Sequence, residues 1–139
     1  MVAYAKFNVF VQNIAEKVHD LGADTLKIAL TSGAPAATNE VRADLTEIAS
    51  GGGYVTGGST VTITTSTQTG GTYRLVGTDV VFTGVGTTAV FRYAVLYNDT
   101  PISPADPLIG YWDYGSNVTL LSGETFTVDL DPAGILTIV

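Results

Sequence analysis

The stretch TAVFRYAVLYN, Thr88 to Asn98, is apolar on both of its alternating faces. Ala89, Phe91, Tyr93, Val95 and Tyr97 fall on one face, and Val90, Ala94 and Leu96 on the other. Successive side chains of a strand point to opposite sides, so a strand with this pattern has to be covered on each. It is expected at the centre of a sheet with other layers packed above and below.

Outward from this stretch the chain reads as short strands divided by turn residues. Downstream lie 108–114, 117–121, 125–131 and 135–139, separated by Gly115-Ser116-Asn117, Ser122-Gly123 and Pro132-Ala133-Gly134. Thr100 to Pro107, with prolines at 101, 104 and 107, is a stiff surface connection. Upstream, 79–83 and 72–76 are strands, and Gly70-Gly71 between apolar or hydroxyl-bearing runs is a hairpin signal. In 25–31, Leu26, Ile28 and Leu30 alternate with Lys27 and Ala29, a strand with one buried face. Val41, Leu45 and Ile48 share one side of a short helical turn.

Residues 4–21 carry the one amphipathic α-helix expected in the chain. Tyr4, Phe7, Phe10, Val11, Ile14, Ala15, Val18 and Leu21 recur at helical spacing, and Gly22 is placed to end it. Val9 falls alone on the opposite, polar face, which makes it a candidate contact for a neighbouring subunit. Between Ile48 and Tyr73 there is no charged residue, and Gly, Ser and Thr dominate 48–72, which reads as a flexible segment. Within it Val61, Ile63 and Thr65 alternate with Thr60, Thr62 and Thr64, as in a strand whose outer face is lined with hydroxyls.

Many short strands on tight turns do not suit a parallel sheet, which needs helical crossovers. The fold expected is mainly β: an antiparallel β-sandwich, jelly-roll-like in wiring, forming a single domain over 1–139 with one N-terminal helix. At 139 residues and 45% hydrophobic composition the chain has the size and apolar content for one core. It has no apolar run long enough to cross a bilayer, and Lys6, Gln12, Asn13, Glu16 and Lys17 interrupt its start, so no secretion signal is expected. A formal charge of −7 argues against nucleic acid and anionic membranes as partners. From Tyr93 onward there is no Lys or Arg, while Asp99, Asp106, Asp113, Glu124, Asp129 and Asp131 are acidic, the composition of a solvated acidic face.

Candidate chemistry is sparse. Without cysteine there are no disulfides and no thiolate ligands, and His19 is the one histidine, placed near a helix end where a structural role fits best. Asp129 and Asp131 point the same way from one strand, but Phe126, Val128 and Leu130 between and before them have to face the core, which leaves the acids in solvent. Gly51-Gly52-Gly53 and Gly84-Val85-Gly86 lack the Lys and the strand-to-helix setting of a phosphate loop. No catalytic residue, metal or cofactor is therefore expected. Among the aromatics, Trp112 and Tyr114 share a face, and Tyr111 on the other is the candidate contact.

KFNVFVQNIAEKVHDLGADTLKIALTSGAPAATNEV near the start, FRYAVLYNDT in the middle and DPLIGYWDYGSNVTLLSGETFTVDLDPAGILTI at the end resemble small virion proteins of tailed bacteriophages, most closely the capsid cement or decoration proteins. The resemblance spans most of the chain outside residues 50–72. It implies a structural protein on the outer surface of the phage head, made in the host cytoplasm, that pairs with copies of itself and bridges major capsid protein subunits. A carbohydrate- or host-binding module of a tail or head fibre is the alternative. Candidate contact residues are Val9, Thr60, Thr62, Thr64 and Tyr111.

Overall fold

A computed structural model describes residues 2–139. In chain order the elements are β1 Tyr4–Lys6, α1 Asn8–Ala15, β2 Leu26–Thr31, β3 Ser59–Thr60, β4 Ile63–Thr69, β5 Thr72–Gly77, β6 Val80–Thr83, β7 Phe91–Asn98, β8 Leu108–Val118, β9 Thr125–Val128 and β10 Leu136–Ile138. A single 3-10 turn, Arg42–Asp44, lies between β2 and β3. The protein is thus mainly β and antiparallel with one short helix near its start, as the alternation of its side chains dictates. No helix among the described residues is long and apolar enough to cross a membrane.

The main sheet has five strands in the order β1-β8-β7-β2-β3. Facing it are a three-stranded sheet, β10-β5-β4, and a two-stranded ribbon, β6-β9. Leu26, Ile28, Leu30, Phe91, Ala94, Leu96 and Trp112 of the main sheet meet Leu75, Val80, Phe82, Val128 and Leu136 of the facing strands in one buried cluster. The other side of the main sheet buries Phe7, Ala29, Val95, Tyr97 and Leu108 beneath Val9, Leu45 and Tyr111. β7 is therefore central and covered on both sides, the arrangement its two apolar faces require. The nested pairing of β1 with β8 and β2 with β7 around the β4–β5 hairpin is Greek-key-like wiring.

Several boundaries differ from the sequence-based expectation, among them the strand expected over 125–131, which ends at Val128 and leaves Asp129 and Asp131 beyond it. The helix covers Asn8–Ala15 instead of 4–21. Tyr4, Ala5 and Lys6 pair instead with Trp112, Tyr111 and Gly110, because the main sheet offers an edge whose hydrogen bonds outweigh a further helical turn. At the other end Lys17 takes a left-handed φ of 64°, with its N–H bonded to the Ile14 carbonyl and the Val18 N–H to the Asn13 carbonyl. That pair of bonds is a Schellman cap, which stops the helix at Ala15, seven residues before Gly22.

The strand expected over 88–98 begins at Phe91, since Thr88 is tied to Leu120 through two bonds, Thr88 N–H to the Leu120 carbonyl and Leu120 N–H to Thr88 Oγ1. Finally, 108–114 and part of 117–121 form one strand, β8. Gly115, at φ 83°, does not end it but sits in a bulge where Phe91 pairs with Val118 and Tyr93 with Asp113.

Candidate interaction surface

The uncharged segment after Ile48 is positioned by the charged residue just before it. The half-buried Glu47 carboxylate accepts hydrogen bonds from Arg42 (2.9 Å), the Tyr54 hydroxyl (2.6 Å) and the Gly57 N–H (2.6 Å). Tyr54 in turn accepts from Leu30 N–H of β2, and the buried Tyr97 hydroxyl donates to the Gly57 carbonyl at 2.5 Å. Arg42 completes the set with a 3.0 Å ion pair to Asp106 and a guanidinium 5.4 Å from the Tyr97 ring centre. Burial, with Glu47 adding to it, raises the Tyr54 hydroxyl far above its ordinary range, so it stays a proton donor. The glycine-rich residues 51–58 are in this way stapled to the main sheet. Glu47 is the last charge before a run of 26 residues that carries none; the run is legible in the sequence, but the anchoring role of Glu47 is not.

From that staple the chain enters β3 and β4. Thr60 is exposed on β3, opposite Lys27. Thr62 is exposed between the strands, and its carbonyl accepts the Thr78 N–H. Thr64 is exposed at a bulge in the β4–β5 pairing, with its hydroxyl on the Val76 carbonyl. The three hydroxyls expected on one strand face thus come from two strands and the bend between them.

Beyond the bulge, β4 pairs with β5 on one side only, and β4 is the outer strand of its sheet. Gly70 and Gly71, at φ 60° and 86°, form the two-residue type I′ turn that joins them. Such a turn makes Thr69 and Thr72 a hydrogen-bonded pair, so alternation directs the backbone groups of Thr65 and Thr67 to β5. Those of Ser66 and Gln68 point outward, where no bond among the described residues engages them. Side chains alternate as well. Ser66 and Gln68 lie on the side of Tyr73, whose hydroxyl is 2.8 Å from Ser66 Oγ, while Thr67 and Thr69 are exposed on the side of Arg74, with Thr65 half-buried on that same side.

Val9 and Tyr111 lie elsewhere. Val9 is half-buried against the second apolar cluster, whereas Val11, expected in the buried stripe, is 55% exposed. Tyr111 is half-buried with its ring 5.0 Å from that of Phe7. With Tyr93, Pro35, Ala5 and Asp113 it lines a shallow cleft of about 370 Å³. Asp113 there takes both oxygens to Arg92, at 2.8 and 3.1 Å.

His19 is buried in the wall of a broader open cleft of about 540 Å³ between the end of α1, β4–β5 and Thr100-Pro101. The Asn98 amide bridges His19 Nδ1 (3.0 Å) and Asp24 Oδ2 (2.6 Å). An amide nitrogen only donates, so His19 Nδ1 accepts and the ring is neutral with its proton on Nε2. Burial lowers its pKa to about 4, with Asp24 acting in the opposite direction. Asp131 and Glu124 accept backbone N–H bonds within their own turns, from Ala133 and Leu121, and Asp129 is exposed. Among the described residues no three His, Asp or Glu side chains converge as metal ligands would. No protein-family model matches the chain, and neither curated proteins nor solved structures yield a match.

Proposed function

We propose that this chain is a structural virion protein of a tailed phage, a capsid cement protein that adheres to the outside of the head and ties major capsid subunits together. The observation that carries this reading is the unpaired, uncharged edge of β4. It presents the outward N–H and C=O groups of Ser66 and Gln68 in a hydroxyl-rich setting, where a second chain can add a strand. Natural edge strands are commonly guarded by Lys, Pro or inward charges, and Ile63–Thr69 carries none of these. Multiple weak contacts on an icosahedral lattice add through multivalency, so such an edge need not bind tightly in isolation. The test is fractionation of purified particles. The protein should band with heads in a fixed ratio to the major capsid subunit; recovery from the soluble lysate alone overturns the reading.

A second reading, a carbohydrate-binding module of a phage fibre, is favoured by the Tyr93–Tyr111 cleft. It sets two half-buried aromatic faces beside the Arg92–Asp113 pair, a combination that suits stacking on a sugar ring with polar groups at its rim. Binding on a glycan array that disappears in Tyr111→Ala would establish it, and an array without signal would remove it.

A further inference from the structure

We propose that the occupant of the β4 edge is a second copy of this chain, paired antiparallel about a two-fold axis through Thr67. The inference rests on the adhesive reading of β4 and names its partner. An isologous contact demands that residue i meet j while j meets i. The sequence Thr65-Ser66-Thr67-Gln68-Thr69 satisfies that demand, because it reads as near-palindromic in chemistry around its centre. With Thr67 on the axis, Thr65 faces Thr69 of the other copy on the solvent side, and Ser66 faces Gln68 on the other. Every opposed pair is polar and uncharged, and Thr–Thr neighbours across strands are favourable.

The register also follows from the backbone. The outward groups belong to Ser66 and Gln68, so these two must form the hydrogen-bonded pairs of the new ladder, each exchanging N–H and C=O with the other copy. Thr67 then occupies the non-hydrogen-bonded site at the axis, where antiparallel Cα atoms lie about 4.5 Å apart. The resulting sheet runs β10-β5-β4 and continues into the same three strands of the copy in reverse order.

The absence of charge on the edge permits a copy and disfavours a charged foreign segment. Two molecules of net charge −7 repel through most of their surfaces, and the charge-free run between Ile48 and Tyr73 lets the two strands themselves meet without a charged pair, with Arg74 one strand back and Asp20 and Asp24 across the cleft from Ser66. A basic or acidic partner strand would find no counter-charge on Ile63–Thr69 to recognise.

The chain has no cysteine, which makes a register-specific test direct. Thr67→Cys places two thiols at the axis, within the Cα range that a disulfide spans. Thr69→Cys places each thiol opposite Thr65 of the copy, about 14 Å from its counterpart at 3.4 Å per residue. Under mild oxidation of the purified full chain, Thr67→Cys should form a linked dimer about a hundredfold faster than Thr69→Cys, as an effective millimolar concentration predicts. Thr67→Lys, on the solvent-facing side, should give a monomeric mass by sedimentation with its melting curve intact. Equal cross-linking rates at 67 and 69, or a wild-type mass that stays monomeric at high concentration, overturn the proposal. Those outcomes are independent of particle fractionation, so the virion assignment stands or falls separately.

Discussion

Lys17 and His19, two positions apart, decide a boundary and a pH response. A left-handed φ is costly for a residue with a β-carbon, by about 1 kcal/mol, and nearly costless for glycine. Lys17→Gly should therefore stabilise the fold by about 1 kcal/mol, raising Tm by about 4 °C in a differential scanning measurement. A drop in Tm would mean that the Lys17 side chain makes a contact worth more than the strain. His19 titrates near 6.5 in the unfolded chain and near 4 in the folded one. Between those values the unfolded state takes up a proton that the folded state refuses. The contribution of His19 is thus complete above pH 6.5 and lost as pH falls towards 4, by roughly 3 kcal/mol in total. Urea midpoints at pH 7 and pH 4.5 should differ more for the wild type than for His19→Gln, whose amide also accepts from Asn98 but does not titrate. The sequence shows a lone histidine near a helix end, whereas its partner Asn98, 79 positions away, and the bond from Asn98 to Asp24 emerged only from the fold.

At the scale of elements, β1 is the instructive case. Tyr4, Phe7 and Phe10 are spaced as in a helix, and local periodicity offers no reason to exclude Tyr4–Lys6 from it. The reason lies in β8, where Gly110 lets the Tyr4 ring lie directly on the strand. A β-carbon on Gly110 would stand 2.1 Å from that ring. The Tyr4 ring also meets Trp112 edge-on at 5.6 Å, and its hydroxyl reaches the Ile109 carbonyl. Gly110→Ala should displace β1 and cost about 2–3 kcal/mol. Hydrogen exchange should then quicken at Ala5 and Lys6 while the β7 core amides keep their protection; unchanged exchange at β1 would refute the close-packing account. A strand with strict alternation, such as β6, was legible because one face is buried and one is not; β2 reads the same way in sequence, but Ala29 is as buried as Leu26, Ile28 and Leu30, because β2 is covered on both sides and the expected single buried face does not hold. β8 was not legible as a single strand, because a bulge at Gly115 looks like a turn when the partner strand is out of view.

For the molecule as a whole, the net charge of −7 and the neutral β4 edge act in opposite directions on self-association. Raising salt from roughly 0.01 to 0.15 M shortens the Debye length from about 30 to about 8 Å and screens the repulsion, leaving backbone pairing unaffected. The association constant from sedimentation equilibrium should therefore increase with salt over that range. A decrease would show that ion pairs, not the uncharged edge, hold the copies together.

The sequence by itself determined that the protein is antiparallel and mainly β, that Phe91–Asn98 is buried on both faces, and that Gly70-Gly71 turns a hairpin. Each of these depends on side-chain alternation or turn geometry within a few residues. Only the tertiary structure decided that β4 is an outer strand, that Glu47 anchors the glycine-rich run, and that Tyr93 and Tyr111 share a cleft. Strand order and cleft walls are made by residues tens of positions apart, and the Glu47 contacts, though local in sequence, form where Leu30 and Tyr97 hold Tyr54 and Gly57 against the main sheet; the chain brings these together only when its layers close on a common core.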